Sequence, residues 1–290
     1  MDYTLSFGGI RMRFHDEREA NVRPHVSLEG PIATFLVRDD AMPDLDLVIT
    51  ALDEEPASTG TLLFDSGMLW KLFDEGDAYR IECRVYGEMY KVAILSKDLR
   101  NGVVRLRAVD DTISYPIEYP LDEVILNMLL ARRGFVELHA CGIVDRNGEG
   151  YLFVGNSGDG KTTTARLWEN DVAEILSDDR IIVRPENGRW WMYGTPWHGE
   201  AEICSASRAP LRRIFLLDKS TANAVRTLSP AAAVAHMLSC TFPPFHDAAA
   251  MGAVAGTLSA MAADIPVMQF SFVNDHSAVD FVRRMFEIAA

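Results

Sequence analysis

The sequence lacks long apolar runs and is poor in basic residues and cysteine. Its 28 Lys and Arg residues are outnumbered by 42 Asp and Glu residues, which gives a formal net charge of -14. An anionic surface repels nucleic-acid backbones and acidic lipid headgroups, so we expect neither nucleic acid nor a membrane as a partner. A local basic pocket for a small anion is compatible with this charge, because a cleft focuses its own field.

The four cysteines, Cys83, Cys141, Cys204 and Cys240, are scattered singly, without a CxxC pair or a His at ligand spacing. They indicate neither a zinc site nor a disulfide framework, and we interpret them as inert thiols in a reducing cytoplasm. The N-terminal residues lack the apolar run of a signal peptide, which also favours a cytoplasmic location. The Ala-rich stretch Ala248–Ala263 is short for a membrane span and is interpreted as a helix packed tightly in a core.

Residues 1–118 predict a β-rich N-terminal domain. Short runs of β-branched and aromatic residues alternate with turn signals, among them Asn101-Gly102, which is typical of a tight hairpin. The pattern fits an antiparallel meander. We find no catalytic motif in this part and interpret it as a scaffold or recognition domain.

Residues 119–290 predict an α/β domain with a mixed sheet, because strands alternate with helices and hairpins. A helix is expected around 120–134, with acids early, arginines late and Gly134 as its stop. Hairpins are expected at Asn147-Gly148 and Asn187-Gly188, and helices at 229–238, in the Ala-rich stretch and near the C-terminus.

The stretch from Gly155 to Thr162 reads GNSGDGKT and satisfies the pattern G-x-x-x-x-G-K-S/T. Glycines let successive backbone N–H groups point at one anion, and the helix that follows adds its positive end. Lys161 is expected to reach the β- and γ-phosphates of a nucleotide, and the Thr162 hydroxyl to ligate Mg²⁺. The predicted nucleotide-binding residues are Gly155, Asn156, Ser157, Gly158, Asp159, Gly160, Lys161, Thr162 and Thr163.

Three acids and a histidine lie in or near this loop segment and need a separate interpretation. Asp159 places a carboxylate inside the loop, and we expect its side chain to face outward, to solvent or toward the acceptor. Asp178 and Asp179 follow a predicted strand, where one acid can hold the metal and the other can face an acceptor hydroxyl as general base. His139 starts an apolar strand; if that strand lies beside the loop strand, His139 would sit close to Asp178.

The segments HACGIV, LFVGNSGDGKTT and LSDDRIIV together resemble the HPr serine kinase/phosphorylase family and, more distantly, the ATP-dependent phosphoenolpyruvate carboxykinases. The likeness covers roughly Leu138–Val183 well and the rest of the C-terminal half loosely. The Gly-Arg-Asn segment of the bifunctional HPr enzymes is not found, and the chain is much shorter than a carboxykinase. It is most similar to compact HPr-kinase-like proteins, some of which resemble serine kinases of precursor peptides, including lasso-peptide precursors.

The resemblance implies an HPr kinase/phosphoenolpyruvate carboxykinase-like P-loop domain C-terminal to the β-rich domain. It also implies that Asp178 deprotonates an acceptor serine beside His139, that Lys161 binds phosphate, and that Asp179 and Thr162 hold Mg²⁺. The expected activity is ATP- and Mg²⁺-dependent transfer of the γ-phosphoryl group to a serine-type hydroxyl of a peptide or protein. A small-molecule kinase and a non-catalytic nucleotide-binding regulatory module are the alternatives, and the oligomeric state is open, a homo-oligomer included.

Overall fold

A computed structural model of the chain describes residues 1–18, 31–57, 59–107 and 115–287. The protein is mixed α/β, with two mixed β-sheets and few helices in the described ranges. The chain divides into two compact units, the first made of Met1–Leu129 with Pro244–Asp247 and the second of Leu130–Pro243 with Ala248–Ala290. No helix within the described ranges is long and apolar enough to cross a bilayer.

The first unit is built on one sheet whose order is β3-β1-β2-β4-β9-β8-β7-β6-β5. Alternate residues of β2 are buried, so its apolar side chains line the core while its basic ones face the other side. A short 3₁₀ helix (Pro31–Phe35) precedes β3. The strands are β1 (Asp2–Phe7), β2 (Ile10–Asp16), β3 (Leu36–Val37), β4 (Leu45–Ala51), β5 (Thr61–Asp65), β6 (Trp70–Asp74), β7 (Ala78–Val85), β8 (Glu88–Ser96) and β9 (Asn101–Leu106).

Two details of this sheet differ from the sequence prediction. Strands β5 to β9 form the expected antiparallel meander, but β4 runs parallel to both β2 and β9, so the sheet as a whole is mixed. The Asn101-Gly102 pair is the start of β9 and not a hairpin turn; the turn lies just before it, with Leu99 at φ 58°. Gly102 instead allows close packing, because a Cβ there would lie 2.4 Å from Cδ2 of Leu95.

The sequence predicted helix α1 (Leu121–Ala131), and the second unit begins within this helix. Its sheet has the order β11-β10-β13-β14-β15-β17-β16; β12 also pairs with β10, and β11 pairs in parallel with β15. Its strands are β10 (Val136–Val144), β11 (Gly150–Val154), β12 (Glu174–Ser177), β13 (Arg180–Glu186), β14 (Arg189–Gly194), β15 (Arg208–Lys219), β16 (Ala224–Thr227) and β17 (Val267–Phe272). Its helices are α2 (Lys161–Trp168), α3 (Pro230–Ser239), α4 (Ala248–Asp264) and α5 (Ser277–Phe286).

Helices cover both faces of this sheet, because successive strand residues point to opposite sides. Phe153 of β11 packs in a cluster with residues of α2 and α5, and its neighbour Leu152 packs in another cluster with residues of α3 and α4. The predicted hairpins at Asn147-Gly148 and Asn187-Gly188 are confirmed by the β10–β11 and β13–β14 pairings. The last residues of the predicted C-terminal helix lie outside the described ranges.

Helix α4 is less buried than the sequence suggested. Of its seventeen residues, Val254, Leu258 and Met261 are the buried ones. A Cβ on Gly252 or Gly256 would meet nothing within 4 Å, so these glycines do not mark a tight contact. The helix packs along one side only.

Candidate functional site

The Gly-rich loop connects the buried strand β11 to helix α2, as its sequence predicted. Gly158 and Gly160 have φ of 87° and 108°, conformations that L-residues with a Cβ rarely adopt. Gly160 also lacks room for a side chain, because a Cβ there would lie 2.5 Å from Cζ of Phe272. The two glycines therefore allow the chain to turn sharply into the first turn of α2, where N–H groups face outward from the helix end.

The Asp159 carboxylate folds back onto the loop backbone in a partly exposed position. Its Oδ2 atom accepts a hydrogen bond of 2.6 Å from the backbone N–H of Asn156. A Cβ on Gly155 would lie 2.8 Å from Cβ of Asp159, so a glycine at position 155 leaves space for this turn. The carboxylate thus braces the loop from within.

Lys161 is the first residue of α2 and is 7% exposed. Its Nζ atom donates hydrogen bonds of 3.0 Å to the backbone oxygens of Gly155 and Asn156, both in the loop. Burial lowers the pKa of this ammonium, while the carboxylates of Asp179 and Asp159 act in the opposite direction. The Lys161 side chain therefore lies within the loop, next to the N–H groups that would face a phosphate.

Asp178 and Asp179 occupy the bend between β12 and β13. The Ser177 hydroxyl oxygen fixes the bend by accepting hydrogen bonds from the N–H groups of Asp179 and Arg180. Asp178 is 1% exposed and accepts hydrogen bonds from the N–H groups of Gly199 and Ala201, at 2.8 and 3.0 Å. This buried carboxylate is consequently held in one orientation.

The hydroxyl of Thr162 donates a 3.1 Å hydrogen bond to Oδ2 of Asp178. A Cβ on Gly199 would lie 2.7 Å from that same oxygen and 3.3 Å from Oγ1 of Thr162, so only glycine leaves this small space open. Hydroxyl and carboxylate oxygens are the ligands that Mg²⁺ prefers, usually completed by waters and substrate phosphates. Thr162 and Asp178 are therefore the residues that could give oxygen ligands to a Mg²⁺ ion. Among the described residues, no group of three or more His, Cys, Asp or Glu side chains is arranged to hold a metal ion by itself.

Asp179 faces a different partner. Its Oδ1 atom lies 3.3 Å from Nε2 of His139, and its Oδ2 atom lies 3.4 Å from Nε of Arg180. Burial is the largest single influence and raises the pKa of this carboxyl, but the hydrogen bond from His139 and the charges of His139, Arg180 and Lys161 together lower it below 3.8. Asp179 is therefore ionised at neutral pH.

The strand pairing brings His139 to this position. Its backbone oxygen accepts a hydrogen bond from the N–H of Gly155, and the N–H of the next residue, Ala140, donates to the oxygen of Asp179. The edge of the imidazole meets the ring of Phe242, with centroids 4.7 Å apart. His139 is thus tied both to the start of the loop and to the acid pair.

The pairing of the site residues corrects one expectation. We expected His139 beside Asp178 and Thr162 beside Asp179, but the contacts are His139 with Asp179 and Thr162 with Asp178. The reason is the bend at Ser177, which turns Asp178 inward toward α2 and leaves Asp179 beside β10.

Most of these residues line one pocket of about 310 Å³. Its lining residues are His139, Ser157, Gly158, Gly160, Lys161, Thr162, Thr163, Asp179, Gly199, Glu200 and Lys219. Gly199 and Glu200 belong to the segment YGTPWHGE, which the chain brings to the loop. Lys219 was not predicted; in the sequence it stands at the end of β15, two residues after the apolar run IFLL.

Comparison with protein-family models gives no match for this chain, and comparison with curated proteins gives none either.

Proposed function

We propose that this protein is an ATP- and Mg²⁺-dependent kinase that transfers the γ-phosphoryl group to a serine-type hydroxyl of a peptide or protein. The observation that carries the proposal is that one pocket is lined by the Gly-rich loop with Lys161, by the His139–Asp179 pair and by Thr162, whose hydroxyl is hydrogen-bonded to the buried Asp178 behind it. Phosphoryl transfer requires phosphate positioning, charge neutralisation and an aimed base, and each part supplies one of these. The fold belonging to this proposal is the HPr-kinase-like P-loop domain.

The loop and Lys161 are the donor side of the proposed site. The N–H groups at the start of α2 and the Lys161 ammonium would bind the β- and γ-phosphates. Thr162 and Asp178 would hold Mg²⁺, which neutralises charge that develops on the phosphate oxygens. Because the backbone N–H groups of Gly199 and Ala201 fix Asp178, this carboxylate is already oriented before a ligand arrives.

Asp179 is the proposed general base, and in this assignment the two acids exchange the roles that the family resemblance implied. Its carboxylate lines the pocket, whereas Asp178 is turned into the protein. The acceptor's O–H bond breaks and its proton passes to Asp179, the acceptor oxygen bonds to the γ-phosphorus, and the bond from that phosphorus to the β,γ-bridging oxygen breaks to release ADP. His139 and Arg180 orient Asp179 and keep it ionised.

The test is phosphate transfer from radiolabelled ATP to serine-containing peptides in the presence of Mg²⁺. We expect Asp179→Asn to bind ATP as tightly as the wild type but to transfer about a hundredfold more slowly or worse, because the base is removed. Asp53→Asn is the matched control, since Asp53 is exposed in the other unit. The kinase proposal fails if the wild type binds ATP and labels no hydroxyl acceptor, peptide or small molecule, which would leave a nucleotide-binding regulatory module.

A further inference from the structure

Lys219 is a cation of the pocket that the proposed chemistry does not yet use. It is the last residue of β15, and its Cε atom lies 3.6 Å from the place that a Cβ on Gly160 would take. Gly160 immediately precedes α2, so the lysine stem runs along the turn that delivers the chain into the helix. The side chain is exposed and lines the same pocket as Lys161.

No carboxylate or carbonyl among the described residues pairs with the Lys219 ammonium. The neighbouring acid is engaged elsewhere: Asp218 accepts hydrogen bonds from the side chains of Gln269 and Ser271, at 3.0 and 3.1 Å. Successive strand residues point to opposite faces, so Asp218 and Lys219 do not neutralise each other. Lys219 therefore presents to the pocket a positive charge that takes part in no ion pair among the described residues, in a protein whose net charge is -14.

The sheet order places this charge on a definite side of the loop. Strand β11, which carries the loop, lies between β10 and β15 and pairs with both. His139 on β10 and Asp179 beside it mark one flank, and Lys219 on β15 marks the other. Val154, the last residue of β11, is level with Leu216, so β15 continues past the start of the loop before it reaches Lys219.

We propose that Lys219 is a second phosphate-binding cation and that it contacts the nucleotide at the end remote from the transferred group, at the α-phosphate. This inference rests on the proposed function, in which the γ-phosphate must face Asp179. A linear triphosphate that begins at the Asp179 flank and crosses the loop brings its nucleoside end to the Lys219 flank. Lysine serves such a site as a compact point charge.

A contact to the α-phosphate is the same in the ground state and the transition state, so it should affect substrate binding and not the chemical step. We expect Lys219→Gln to raise the KM for ATP and the Kd for ADP about tenfold, the equivalent of about 1.4 kcal/mol, with kcat little changed. Lys219→Arg should retain most of the affinity because it keeps the charge. The matched control is Arg212→Gln, which removes one positive charge from an exposed position on the same strand, outside this pocket.

The measurements are calorimetric titration with ADP and ATP, steady-state kinetics and thermal unfolding of each variant. Unchanged nucleotide affinity in Lys219→Gln, with a wild type that binds ATP, would overturn the inference and leave the kinase proposal standing. A fall in kcat at unchanged KM would also overturn it, because Lys219 would then act on the transferred group. Absence of nucleotide binding by the wild type would overturn both proposals together.

Discussion

Nε2 of His139 lies 3.3 Å from Oδ1 of Asp179, in a pair that joins strand β10 to the bend between β12 and β13. The two residues are forty positions apart in sequence. Their backbones are joined as well, because Ala140, next to His139, donates its N–H to the oxygen of Asp179. A side chain and a backbone contact at the same place fix the acid in the pocket.

This pair predicts how stability depends on pH. The pKa of Asp179 is lowered in the folded protein, so the carboxylate contributes stability that is present above its unfolded value of 3.8 and is lost as the pH falls through the folded value. Urea unfolding of wild type and Asp179→Asn should show a constant difference in the free energy of unfolding near neutral pH and a shrinking one below 3.8. A difference that is unchanged from neutral pH down to about pH 3 would contradict the pairing.

The loop glycines give a second prediction about stability. Gly158 and Gly160 both have positive φ, but a Cβ on Gly158 would meet nothing within 4 Å, whereas one on Gly160 would lie 2.5 Å from Cζ of Phe272. Gly158→Ala should therefore cost only backbone strain, about 1 to 3 kcal/mol, and Gly160→Ala should cost more. Chemical denaturation measures both.

A double substitution separates the two causes at Gly160. If the extra cost of Gly160→Ala comes from the ring, it should be largely absent when the same change is made in a Phe272→Leu background. Equal costs for Gly158→Ala and Gly160→Ala in the wild-type background would show that the Phe272 contact has no energetic effect.

Local features of the chain were predictable, whereas the neighbours of each strand were not. The hairpins at Asn147-Gly148 and Asn187-Gly188 follow from turn chemistry that acts over two residues. The same signal failed at Asn101-Gly102, because the turn formed just before it and Gly102 was needed for close packing against Leu95. A glycine pattern does not distinguish these two uses.

The candidate site shows the same limit. The loop and its helix could be predicted because one continuous segment carries them. The choice of partner for each acid could not, since it depends on the bend that the Ser177 hydroxyl fixes and on Gly199, twenty-one residues beyond Asp178. Lys219 enters the pocket only because β15 lies beside β11, and sheet order is a long-range property.

Gly199 supports a prediction about activity. A Cβ at this position would meet Oδ2 of Asp178 at 2.7 Å and Oγ1 of Thr162 at 3.3 Å, so Gly199→Ala should push these oxygens apart. If the pair holds Mg²⁺, phosphoryl transfer should fall about a hundredfold, because a small misplacement of a reacting group has that effect, and the Mg²⁺ concentration for half-maximal rate should rise. The assay is initial rate against Mg²⁺ concentration.

Gly252→Ala is the control for this experiment. A Cβ on Gly252 meets nothing within 4 Å, and the residue lies in helix α4, where alanine is favoured over glycine by about 0.5 to 1 kcal/mol. This variant should be slightly more stable than the wild type and fully active. Normal Mg²⁺ dependence in Gly199→Ala would argue against a metal role for the Thr162–Asp178 pair.

Substitutions of Asp159 separate two effects of its carboxylate, which are the hydrogen bond that braces the loop and the negative charge. The carboxylate accepts a hydrogen bond from the N–H of Asn156, but it also places a negative charge near Lys161, whose pKa it acts to raise. Asp159→Asn keeps an oxygen that can accept this hydrogen bond and removes the charge. We therefore expect it to bind ATP about fivefold more tightly, the equivalent of about 1 kcal/mol, with little change in thermal stability.

Asp159→Ala removes both properties and completes the comparison. Without an acceptor for the Asn156 N–H the loop must be ordered when the nucleotide binds, so this variant should bind ATP less tightly than Asp159→Asn. The advantage of Asp159→Asn over the wild type should shrink as salt is added, because ions screen the repulsion that it relieves. Weaker binding by Asp159→Asn than by the wild type would mean that the carboxylate assists the ligand, as it would if it bound a cation that accompanies the phosphates.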